Sequence, residues 1–71
     1  MSKMPSIRVG DFVTLISEEE LQKDLFEVDF DGFLKVQIKR SGTEYNIVNA
    51  MDGWGDNVME TYHNAPIIIY P

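Results

Sequence analysis

Between Glu27 and Lys39 the chain changes character at every residue. Glu27, Asp29 and Asp31 alternate with Val28 and Phe30; beyond Gly32, Leu34, Val36 and Ile38 alternate with Lys35, Gln37 and Lys39. Successive side chains of a strand point to opposite faces, so a period of two predicts strands with one apolar and one charged face. Gly32 permits a bend or bulge between the two halves. Arg40-Ser41-Gly42-Thr43 then supplies a tight connection to a strand around Tyr45 and Ile47, so residues 32–51 read as a β-hairpin.

The flanks fit the same plan. Gly10-Asp11 is a turn signal, and the large apolar and β-branched residues at 12–16 predict a first strand. Ser17-Glu18-Glu19-Glu20 has the serine and glutamate of a capping box, and Leu21 and Leu25 are four apart, so a short helix is expected from Ser17 to about Phe26. Asp52-Gly53 marks the next turn, a strand is expected over 58–62, and His63-Asn64-Ala65-Pro66 is a loop before a last strand at 67–70. Ile67-Ile68-Ile69 has apolar residues on both faces, as a strand closing a barrel or pairing across a dimer would; closure is the simpler cause. With 71 residues, such a chain is one domain and buries about 60% of the surface its unfolded form exposes. Residues 1–6 are expected to be a flexible leader.

Five antiparallel strands in meander order, with one short helix in the long first connection, can close into a small barrel. Val9-Gly10-Asp11-Phe12-Val13 resembles the first strand of SH3-like small barrels, and Gly53-Trp54-Gly55-Asp56-Asn57-Val58-Met59-Glu60 resembles a late strand of some small phage-encoded proteins of that kind. The resemblance implies the fold and, through it, a phage or mobile-element origin. It implies no ligand, because the acidic-aromatic signature of proline-peptide-binding SH3 domains is missing. An OB-fold places its helix later, between strands three and four.

Charge narrows the partners. Twelve acids against six bases give −6, which opposes binding to DNA, RNA or anionic lipid and favours a basic protein surface. Residues 11–31 alone carry eight acids against Lys23. No apolar run is long enough to cross a bilayer, and there is no cysteine, so the cytoplasm is the expected compartment, that of a host cell if the protein is phage-encoded.

Motifs for chemistry fail one by one. Residues 27–32 look like half an EF-hand loop, but with Gly32 at its sixth position the twelfth, which needs a bidentate glutamate, is Ile38. Counted from Asp52, a second acidic loop has His63 at that position. One histidine without cysteine makes a poor zinc site, and His63 has no nucleophile motif to serve. No enzyme activity, cofactor or metal is expected.

What remains is a binding surface. Residues i and i+2 of a strand lie about 6.6 Å apart, so Glu27, Asp29 and Asp31 are expected to form a ladder of carboxylates spaced much like nucleic-acid phosphates. Glu18, Glu19, Glu20 and Asp24 extend it, with the like-charged Glu20 and Asp24 costing a few tenths of a kcal/mol in an isolated helix. Such a run is either a solubilising face or one that seeks arginine and mimics nucleic acid. Trp54 is either part of the core or an exposed anchor. Lys35, Lys39 and Arg40 make a small basic strip on the hairpin, most simply solubilising. The leading expectation is an inhibitor of a basic, nucleic-acid-handling host protein acting through residues 18–31 and Trp54. Alternatives are an assembly subunit that docks or self-associates, as a homodimer for example, through its last strand, and a barrel that binds nucleic acid directly.

Overall fold

The computed structural model describes residues 4–71. In chain order these form β1 (Ser6–Val9), β2 (Phe12–Leu15), α1 (Glu18–Leu21), β3 (Leu25–Phe30), β4 (Leu34–Ser41), β5 (Glu44–Asp52), α2 (Met59–Tyr62) and β6 (Ile67–Tyr70). The strands pair antiparallel in two three-stranded sheets, ordered β2-β1-β6 and β3-β4-β5. The protein is mainly β, as its alternation predicts. It has six strands, not the expected five, and the sheets do not close into a barrel.

Two local causes account for the difference. Gly10, at φ +60°, and Asp11 form a two-residue hairpin loop, with Val9 opposite Phe12. Such loops favour glycine at a central position because L-residues with a side chain rarely adopt positive φ. The turn expected at Gly10-Asp11 therefore joins two strands, and β1 before it is the strand that the sequence reading lacked. Ser6 opens β1 and Pro5 is buried, so both belong to the packed domain; residues 1–3 of the expected leader lie outside the described residues. The second cause is α2, which stands where a strand was expected at 58–62. The Asn57 side chain accepts the Met59 N–H at 2.9 Å, and the Thr61 and Tyr62 N–H groups donate to the Val58 carbonyl. A helical turn has no ladder edge to offer, so hydrogen bonding cannot pass from β5 to β6.

The other expected helix is shorter than its pattern. Ser17 does cap α1, accepting the Glu20 N–H at 3.2 Å, but the helix ends at Leu21. Leu25 and Phe26 belong to β3, opposite Lys39 and Ile38. The strand wins because it buries Phe26, Val28 and Phe30 on one face, whereas a single further helical turn would bury Leu21 and Leu25 alone. The predicted hairpin forms as β4 and β5, with a register shift between Gln37 and Ile38.

The core is wholly apolar. Ile7 and Val9 enter it from the first sheet; Phe26, Val28, Phe30, Leu34, Val36, Ile38, Ile47 and Ala50 come from the second. Phe12 of β2 meets Phe30 of β3 at 6.0 Å between ring centroids and Tyr62 of α2 at 6.5 Å, so one aromatic chain ties both sheets to the second helix. Offset and tilted rings at these distances add to the area they bury.

Phe30 and Phe33 flank one turn and are exposed to 2% and 70%. Phe30→Ala should cost about 3–5 kcal/mol, a large part of the stability of so small a domain. Phe33→Ala should stay within about 0.5 kcal/mol. Urea midpoints of the two variants against the parent measure the contrast.

Candidate functional site

The β3–β4 hairpin closes through residues 31–33. Asp31 takes φ 54° and Gly32 φ 80°, a left-handed pair that aspartate and glycine tolerate best. The Asp29 carboxylate accepts the Gly32 N–H at 2.8 Å, and the Phe33 N–H donates to the Phe30 carbonyl at 2.9 Å. Asp31 therefore leaves the strand, and the expected three-rung ladder keeps two rungs, Glu27 and Asp29.

After β5 the chain turns again, organised by one carboxylate. Asp52 Oδ1 accepts the N–H groups of Trp54 and Asp56, each at 2.9 Å. This loop is pressed against the first turn: a Cβ on Gly53 would lie 2.6 Å from the Gly32 carbonyl oxygen and 3.8 Å from the Phe33 Cα. Only a residue without a side chain lets the two turns meet this closely. The contact brings Phe33 and Trp54 to the same end of the sheet, the latter 89% exposed. Of the two expectations for Trp54, the core is thus ruled out.

Beside this knuckle lies a cleft of about 400 Å³ on the outer face of the second sheet. Met51 contributes an apolar wall, Glu27, Asp29 and Asp52 contribute carboxylates, and Lys35 is the one cation among the lining residues. Directly opposed residues of an antiparallel pair share a face, and Lys35 stands opposite Asp29. The basic strip is consequently split: Lys35 and Lys39 lie on the same face as the acids, while Arg40 turns away, its Nη2 donating to the Gln22 carbonyl at 2.8 Å and lying 3.6 Å from Asp24.

The eight residues singled out from sequence fall into two groups. Glu18, Glu19, Glu20 and Asp24 gather at α1 and the start of β3; Asp31 and Trp54 gather at its far end, with Glu27 and Asp29 between. A six-residue strand separates the ends by roughly 20 Å. Two acids of the first group already have cations: Glu20 pairs with Lys23 at 2.8 Å and Asp24 with Arg40. The hydrogen bond to Glu20 raises the Lys23 pKa above its ordinary value. Sequence reasoning missed Phe33 and Met51, and it took Asp52 as a turn residue and a failed metal ligand but not as part of a binding surface. Phe33 did carry a signal, since it is a large apolar residue sitting outside the alternation of Leu34, Val36 and Ile38.

Among the described residues no cluster of three or more histidine, cysteine, aspartate or glutamate side chains could hold a metal ion, and no helix is long and apolar enough to cross a membrane. No family model, curated protein or solved structure matches the chain.

Two measurements check the site. Trp54 is the sole tryptophan, so the folded protein should emit as a solvated indole does, with little further red shift on unfolding. Gly53→Ala forces the turns apart against backbone atoms and should lower stability by about 1–3 kcal/mol in urea titration.

Proposed function

We propose that the chain is a non-enzymatic protein-binding module that grips a basic surface of another protein with the turn end of its second sheet. The observation that carries this reading is the pair of aromatic side chains, Trp54 and Phe33, held in solvent at 89% and 70% exposure by two interlocked turns. Exposing one large ring is ordinary, but exposing two at the same end of a sheet suits an interface anchor. The cleft beside the two turns is lined by Glu27, Asp29 and Asp52, with Lys35 as the opposing charge, while Asp31 belongs to the first turn and Asp56 to the second. Arginine is the side chain such a surface fits best, because its plane stacks on aromatic faces and its fork meets carboxylates.

The broken ladder favours this over a strict imitation of nucleic acid. A row of phosphate-like charges needs more than two regular rungs, and α1 supplies its acids at the opposite end. Covering a basic nucleic-acid site on the partner would still block that site, so the inhibitory role is kept as the biological consequence. A phage origin rests on the resemblance of short motifs.

We also propose the SH3-like reading as an open form of that barrel. Its support is the path of the chain: a hairpin, a three-stranded meander, a one-turn helix, and a last strand that returns to pair with β1.

The test uses a labelled arginine-rich peptide with interspersed apolar residues, beside an acidic peptide of equal length. The basic peptide should bind, blue-shift the Trp54 emission, and lose affinity steeply with salt. Trp54→Ala should weaken binding roughly thirtyfold or more, as loss of an anchor worth about 2 kcal/mol does. Glu27→Gln with Asp29→Asn should flatten the salt dependence. Equal binding of both peptides, or an unshifted Trp54 emission with the basic one, would sink the proposal.

A further inference from the structure

We propose that the outer face of the β2-β1-β6 sheet is the surface on which two copies of this chain associate. This goes beyond the binding of a basic partner, which uses the other sheet. The register places Leu15, Ser6 and Tyr70 in one row across the three strands, and Val13, Arg8 and Ile68 in the next. Their inward neighbours, Ile7, Val9, Ile67 and Ile69, pack into or against the core. The outward face is nevertheless apolar, with Leu15 62% and Val13 57% exposed and Ile68, Tyr70 and Met4 exposed beside them.

Charge identifies the occupant. β1, β2 and β6 contain no aspartate or glutamate, although the chain holds twelve. Within the three strands a basic partner finds no counter-charge, Asp11 standing in the β1–β2 turn at the edge of the face near Arg8, and an acidic one finds Arg8 alone, whose Nε already donates to the Gly10 carbonyl at 2.8 Å. A second copy is repelled by its twin wherever carboxylates face each other, and on this sheet only Asp11, at its edge, carries such a charge.

The pattern is also self-complementary. A two-fold axis lying in the interface, perpendicular to the strands and midway between the rows, sets Leu15 against Val13 of the second copy, Tyr70 against Ile68, and Ser6 against Arg8. Every apolar side chain meets an apolar one, and the guanidinium meets a hydroxyl and not another guanidinium. Such an isologous contact closes on itself and leaves no open surface for a fibre. Three strands of four residues make a face roughly 14 Å on a side, small for a specific interface, so the dimer is weak and depends on concentration.

Sedimentation equilibrium of the whole chain over a concentration series tests the proposal. In about 0.5 M salt, which screens the mutual repulsion of copies at −6, the mass should climb from 8.2 kDa toward twice that value. Leu15→Glu and Ile68→Glu change exposed residues and should each leave an 8.2 kDa species with an unchanged circular dichroism spectrum. Trp54→Ala should dimerise as the parent does while losing the basic peptide, which separates the two surfaces. The chain lacks cysteine, so Leu15→Cys mixed with Val13→Cys and treated with a short bis-maleimide, which spans the roughly 10 Å between packed sheets, reports the axis: the mixed cross-link should form in preference to either homodimeric one. A monomer at every concentration up to about 1 mM, a dimer that survives Leu15→Glu and Ile68→Glu, or a preference for the homodimeric cross-links would overturn the inference.

Discussion

The burial of Phe30 is the contact on which the rest of the molecule depends. Its ring lies between the sheets, against Phe12 of β2, at the point where β3 gives way to the turn at 31–33. Burying a phenylalanine fully is worth roughly 1.5–3 kcal/mol in transfer terms alone. That single side chain also fixes the phase of β3: with Phe30 inward, Glu27 and Asp29 must face out. A slip of one residue would put carboxylates in the core and phenylalanines in water, an exchange no sheet of this size could sustain.

Much of the second sheet was legible because its signal is long. The alternation through Val28, Phe30, Leu34, Val36 and Ile38 repeats often enough to fix strand, face and hairpin together. Ser6–Val9 obeys the same rule, with Ile7 and Val9 inward, but two cycles are too few to stand out from the turn that follows. The capping signal at Ser17 located the start of α1 correctly and said nothing of its end, which was decided by the pairing of Leu25 and Phe26 with β4. At α2 the pattern misled: Val58, Glu60 and Tyr62 suit a strand by period two, while Asn57 with Glu60 three residues on, and Val58 with Tyr62 four apart, suit a helix.

The candidate site was less legible than the fold, for a related reason. Composition located the acids, but proximity between them depends on strand pairing. Placing Lys35 opposite Asp29 and sending Asp31 into a turn changed a uniform ladder into a short mixed row. The exposure of Trp54 could not be read from its neighbours, because glycines on either side suit a buried ring and a projecting one equally. It followed from Asp52, whose carboxylate shapes the loop, and from Gly53, whose missing side chain lets that loop lean on the hairpin.

The separation of duties between core and turns has an evolutionary consequence. No polar or charged side chain is buried among the described residues, and the exposed aromatic pair lies in two short loops that contribute nothing to the core. Substitutions there can change the surface while the scaffold stays intact, so under the proposed binding role lineages facing a changing partner would diverge first at Phe33 and Trp54. Gly53 is the exception: drift at that position is forbidden by the carbonyl of Gly32. One close backbone contact between two otherwise separate loops lets their exposed side chains vary in chemistry while their placement is inherited.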